Sequence, residues 1–213
     1  MSRFRLAIFD LDGTLVDTLP DIAAALNFTI RELGLQGISQ DRVAGMVGEG
    51  VTRLLQNALG EHGAGRLERA VEMFRTRYAA HLCEGTRPYP GIPEMLAAAP
   101  QQKAVATNKP GEMARRILHE LGLARHFVQV VGDDDVERRK PDPLVVRRLL
   151  EECGVDAGDT VMIGDGVVDA QTARAAGVAF YAVTWGYVPR ERLVTESPAR
   201  IFDTVAQLRD LLM

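Results

Sequence analysis

Asp10 and Asp12 stand two residues apart at the end of the apolar run Leu6-Ala7-Ile8-Phe9, and Gly13 and Thr14 follow at once. Two carboxylates held that close raise each other's pKa unless a cation or a catalytic task accounts for them. Three further groups follow later apolar runs: Thr107 and Asn108; Lys140 ahead of Pro141; and Asp165 with Asp169. Acid pair, hydroxyl, lysine and acid pair together suit phosphoryl transfer. A carboxylate can attack phosphorus and, through an aspartyl-phosphate, split one hard step into two easier ones. The transferring group carries spread negative charge, which Lys140, the Thr107 hydroxyl and backbone N–H groups at strand-to-helix turns are fitted to receive. Mg²⁺ favours one or two carboxylates plus phosphate oxygen and water, and Asp10 and Asp165 could supply them. Without such a cation, converging aspartates repel one another.

These groups need a scaffold that brings them to one place. From Gly85 onward short apolar runs alternate with amphipathic ones. The pattern predicts strands at 103–107, 127–131, 160–164 and 178–184, with helices at 112–121, 143–153 and 169–176. Asp203 would cap a last helix ending at Leu212. Near-continuous apolar strands between such helices predict an α/β fold, a parallel sheet covered on both faces. In a parallel sheet the carboxyl ends share one edge, so all four groups converge there.

Between residues 16 and 83 the pattern is helical, with no convincing strand. Thr18 is placed to cap a helix carrying Pro20 and Asp21 in its first turn, and Ile22, Ala25, Leu26, Thr29, Ile30 and Leu33 form a one-sided stripe. About four helices fit the stretch, a bundle inserted after the first strand. The expected division is an α/β core of residues 1–15 and 84–213 and a helical cap of residues 16–83. Gly48, Glu49 and Gly50 are either a cap loop touching substrate or a plain interhelical turn.

Composition narrows the function. The chain has 213 residues, 46% hydrophobic and 25% charged, with interspersed charges and a net charge of -4, which argues against a nucleic-acid-binding surface. Cys83 and Cys153 lack metal-ligand spacing and read as reduced thiols. No run approaches the roughly 20 apolar residues of a membrane span, and no signal peptide is legible. A cytoplasmic monomer or homodimer is expected. The four histidines show no ligand spacing, Asp133, Asp134 and Asp135 read as a solvated loop, and Trp185 to Tyr187 as loop packing. Asn108 serves as well for a helix cap as for phosphate binding.

At these residues the chain resembles the haloacid dehalogenase superfamily. Asp10-Leu-Asp12-Gly-Thr-Leu-Val-Asp17 looks like its first motif, Thr107-Asn108 its second, Lys140-Pro141 its third and Gly164-Asp165-Gly166-Val-Val-Asp169 its fourth. The resemblance implies Asp10 as nucleophile and metal ligand, and Asp12 as the acid and later base whose backbone carbonyl also binds Mg²⁺. It implies Thr107 and Lys140 at the phosphoryl group, Asp165 on the metal and Asp169 supporting it. A helical cap straight after the first motif, with Val47-Gly48-Glu49-Gly50 and Thr107-Asn108-Lys109-Pro110, is similar to the phosphoglycolate phosphatase-like branch. That branch usually has Ser where this chain has Gly166. The expected activity is hydrolysis of a small phosphate monoester, 2-phosphoglycolate-like. Alternatives on the same scaffold are a sugar-phosphate phosphatase and a β-phosphoglucomutase-type phosphotransferase. A phosphoacceptor signalling domain would be shorter and would lack the insertion.

Overall fold

Leu6, Ala7, Ile8 and Phe9 form β1 (Leu6–Phe9), and all four are shut off from solvent. Leu6 and Ile8 belong to one hydrophobic cluster and Ala7 and Phe9 to another, because alternate side chains of a strand face opposite sides of its sheet. Burying each of the larger ones contributes about 1.5–3 kcal/mol. The computed structural model describes residues 4–213. In it β1 is the third of six parallel strands in the order β5-β4-β1-β6-β7-β8. The others are β4 (Gln102–Ala106), β5 (Gln129–Val131), β6 (Thr160–Gly164), β7 (Ala179–Val183) and β8 (Arg200–Phe202). The helices between them are α5 (Ile92–Ala98), α6 (Gly111–Glu120), α7 (Leu144–Cys153), α8 (Val167–Ala176), α9 (Arg190–Thr195) and α10 (Val205–Leu212).

Register decides where the chemistry lies. Phe9 pairs with Val105 on one side and Ile163 on the other, so Asp10, Thr107 and Asp165 leave the sheet at nearly one level. The chain builds outward from β1 through β4 to β5 and then returns to β6 on the other flank. The strand order therefore reverses between β1 and β6, at the crevice where open α/β sheets bind ligands.

Residues 16–83 supply α1 (Leu19–Glu32), α2 (Gln40–Ala44), α3 (Val51–Leu59) and α4 (Leu67–Ala80). Leu26 and Ile30 of α1, Leu55 and Leu59 of α3, and Ala70 and Phe74 of α4 are buried in one cluster. The stretch does contain a strand, against expectation: β2 (Val16–Asp17) pairs antiparallel with β3 (Arg87–Pro88). The outgoing and returning chain thus lie side by side in a two-residue ribbon. Asp21, in the first turn of α1, braces it by accepting from the N–H of Gly85 (2.8 Å), the N–H of Thr86 (2.8 Å) and the hydroxyl of Thr86 (2.7 Å).

Two expected caps are differently made. Thr204, not Asp203, caps α10 by accepting from the N–H of Gln207, while Asp203 pairs with Arg190. Thr18 occupies the N-cap of α1 but its hydroxyl makes no cap. That N-terminus is satisfied by the Tyr187 hydroxyl, which accepts from the N–H of Thr18 (2.9 Å) and Leu19 (3.1 Å).

Candidate active site

Asp10 leaves β1 with its N–H still in the sheet, donating to the Ile163 carbonyl (2.9 Å). Its Oδ1 accepts from the Leu11 N–H (2.7 Å) and from Lys140 Nζ (2.9 Å), which leaves Oδ2 without a hydrogen bond among the described residues. Lys140 arrives from the loop ahead of Pro141 and is 3% exposed. Its three ammonium protons all have partners: Asp10, Asp169 Oδ1 (2.6 Å) and the Ala106 carbonyl (2.8 Å). Burial works against that ammonium, but Asp10 and Asp169 outweigh it and hold its pKa above the usual lysine range. Burial, and after it the Asp169 charge, push Asp10 up to about 8 against the pull of Lys140.

Asp165, just past β6, is clamped on both oxygens. Oδ1 accepts from the Thr14 hydroxyl (2.9 Å) and Oδ2 from the Tyr187 N–H (2.8 Å). Burial and Asp169 nevertheless push its pKa up to about 7. Gly13 makes this approach possible: its φ of +83° suits glycine, and a Cβ there would overlap the Asp165 carboxylate. Asp169 turns Oδ2 to the N–H of Gly166 (3.0 Å), capping α8 from within its own first turn. A glycine at position 166 brings no hydroxyl to accept from the first-turn N–H groups, so this bond is one half of a capping box.

One carboxylate oxygen each of Asp10, Asp165 and Asp169 lies within 4.8 Å of the others. The donor set fits a hard divalent cation: three carboxylates at close quarters, two with pKa values raised by burial and then by the Asp169 charge. Within the cluster Asp169 differs in being ion-paired to Lys140 through Oδ1, while Asp165 is held only by neutral donors, the Thr14 hydroxyl and the Tyr187 N–H.

Across the crevice, Asp12 is held from two directions. The Thr18 hydroxyl donates to Oδ1 (2.7 Å), and Lys109 Nζ lies 3.0 Å from Oδ2. Thr107 is buried and accepts from the Lys109 N–H (3.2 Å). Asn108 caps no helix. Its Nδ2 donates to the carbonyls of Gly48 (2.9 Å) and Lys140 (3.1 Å), tying the helical insertion to the core, and the N-cap of α6 is Pro110.

Asp10, Asp12, Thr107 and Asn108 line a cavity of about 60 Å³, roofed by Gly48, Gly50, Val51, Leu54, Phe74 and Tyr78 from the insertion. Glu49 stays outside this lining, 3.7 Å from Arg53. Of the acidic loop, Asp134 receives the Gly111 N–H and Asp135 pairs with Arg115, so both have structural work.

Sequence reasoning passed over Lys109, Tyr78 and Tyr187. Lys109 stood in plain sight beside Thr107 and Asn108, while Tyr187, read as loop packing, binds Asp165 through its N–H and Asp17 through its hydroxyl (3.1 Å).

The model of the haloacid dehalogenase-like hydrolase family matches residues 7–183. The chain belongs to that family. Among relatives of this hydrolase, the phosphoglycolate phosphatase of Rhodospirillum rubrum is 39% identical over 98% of this chain and 90% of its own. That of Agrobacterium fabrum is 38% identical over 97% and 91%. The crystal structure of a predicted phosphoglycolate phosphatase from Haemophilus somnus 129PT superposes with a TM-score of 0.92, 29% identity and full coverage of both chains. No helix among the described residues is long and apolar enough to cross a membrane.

Proposed function

We propose that this hydrolase is a Mg²⁺-dependent phosphatase of a small phosphate monoester, 2-phosphoglycolate-like, working through an aspartyl-phosphate on Asp10. One observation carries the reading: Asp10 lines a small cavity with one oxygen fixed by Lys140 and the Leu11 N–H, and the other without a hydrogen bond among the described residues. Phosphatase names among relatives that cover nearly the whole chain support it.

Asp10 Oδ2 attacks phosphorus, and the bond to the ester oxygen breaks. Asp12 gives its proton to that oxygen as it leaves, then takes one from the water that hydrolyses the aspartyl-phosphate. Lys140 and the Thr107 hydroxyl face the phosphoryl oxygens, where charge spreads in the transition state. Asp10, Asp165 and the backbone carbonyl of Asp12 would hold Mg²⁺, with Asp169 in support. When bound, the cation supplies positive charge to the phosphoryl oxygens and lets Asp10 stay ionised against its neighbours. The helices of residues 16–83 act as a cap that shuts water from the cavity and limits substrate size.

The test is phosphate release from a panel of monoesters, 2-phosphoglycolate and hexose phosphates among them, with Mg²⁺ and with chelator. Turnover is expected with Mg²⁺ on a small acid ester, and none in chelator or for Asp10→Asn. Full activity of Asp10→Asn, or no phosphate from any ester, would sink the reading.

A further inference from the structure

Lys109 is buried between the core and the insertion, 7% exposed, and its ammonium has two polar partners. One is Asp12 Oδ2 at 3.0 Å. The other is the hydroxyl of Tyr78, to which Nζ donates at 2.9 Å. Tyr78 is carried by the last turn of α4 and is 2% exposed. Its ring stacks on Phe74 at 5.5 Å between centroids and also lies under the ammonium, 4.6 Å from Nζ. A lysine stem is flexible and its rotamer freedom is costly to remove. Here the hydroxyl and the π-face of one cap tyrosine remove it together.

We propose that Tyr78 and Lys109 are positioning residues that couple the seated cap to Asp12: Tyr78 fixes the Lys109 ammonium, and Lys109 fixes Asp12 Oδ2. The inference rests on the reading of Asp12 as acid and base. As the proton passes from Asp12 to the ester oxygen and the P–O bond breaks, Asp12 is left with a negative charge. Lys109 stands ready to meet that charge, so the pair stabilises the transition state more than the ground state. With the cap swung away, α4 withdraws Tyr78, Lys109 regains its rotamers, and proton delivery loses its geometry. Chemistry is thereby tied to a closed, water-excluding site.

The experiment compares two leaving groups in the first turnover, followed by rapid mixing with Mg²⁺ present. One ester is the alkyl monoester turned over fastest in the panel above, whose alkoxide needs a proton. The other is dinitrophenyl phosphate, whose phenolate departs without one. Tyr78→Phe is expected to slow the alkyl ester about 10-fold and Lys109→Met about 100-fold, with the dinitrophenyl ester slowed less than about 3-fold by either. The double variant is expected to fall no further than Lys109→Met alone, as for residues acting in one chain. Equal slowing of both esters, or no slowing of the alkyl ester, overturns the inference. Tyr78→Phe keeps the ring on Phe74 and carries the test alone should Lys109→Met not fold. Asp12→Asn separates the two levels. If it slows only the alkyl ester while the other variants do not, the relay is wrong and the acid stands. If it slows both esters equally, or neither, the acid assignment is itself wrong.

Discussion

At the scale of single residues, Lys140 is the group on which most depends. Its ammonium sits between Asp10 and Asp169 with every proton placed, and the Lys140 and Asp169 side chains are each 2% exposed. A buried pair of this kind contributes little beyond an apolar replacement of both partners, but losing one partner strands the other's charge. Lys140→Met is therefore expected to cost about 3 kcal/mol of folding stability, measured by urea unfolding, and to abolish turnover. Unchanged stability would contradict the buried pairing. The carboxylates, hydroxyl and lysine were readable in the sequence because each follows an apolar run or, for Lys140, stands just before a proline that announces its place. Their partners were not. Tyr187 meets the N–H of Thr18 across 169 residues of chain, and a phenol that caps a distant helix leaves no trace in local spacing. Lys109 was visible as a residue type, but nothing nearby in sequence says that its ammonium turns to Tyr78 and Asp12.

At the scale of elements, the ribbon of β2 and β3 is where the insertion joins the sheet, and Asp21 holds its returning strand. Asp21→Ala leaves the Thr86 N–H and hydroxyl buried without that acceptor, and unsatisfied buried donors cost about 1–3 kcal/mol each. The expected loss is about 2–4 kcal/mol by urea unfolding, and a loss below 0.5 kcal/mol would show that the brace is idle. Elements with unbroken apolar sequence were legible: β6 spans the residues expected, and α1 buries its predicted stripe from Ile22 to Ile30, while Leu33 falls at the C-cap and is half-buried. Elements that lean on neighbours were not. The edge strand β8 has only Arg-Ile-Phe to declare it, and β2 is two residues long. The shortfall at the N-cap of α1 has the same cause, since the Thr18 hydroxyl answers to Asp12 rather than to its own helix.

At the scale of the whole molecule, folding presses several acids into one crevice, and stability must follow pH. Asp10 and Asp165 rise from an ordinary 3.8 to about 8 and about 7, with burial the leading cause. The folded chain therefore keeps protons that the unfolded chain has released between about pH 4 and 8. Stability from these groups is full below about pH 4 and is lost as pH climbs to about 8. In chelator the melting temperature is expected to fall from about pH 5 to about pH 8. Excess Mg²⁺ should restore more of it at the upper end, where the ionised carboxylates await a cation. A melting temperature that stays flat in chelator, or a Mg²⁺ effect larger at the acid end, would contradict the crowding of charge around Asp10. The parallel sheet and its reversal beside β1 explain why that crowding exists. The most direct measurement is acid quench of the enzyme during turnover, followed by mass spectrometry of its peptides. The account predicts one phosphoryl group on the peptide carrying Asp10, absent from Asp10→Asn. A phosphoryl group on any other residue, or none during active turnover, would contradict it.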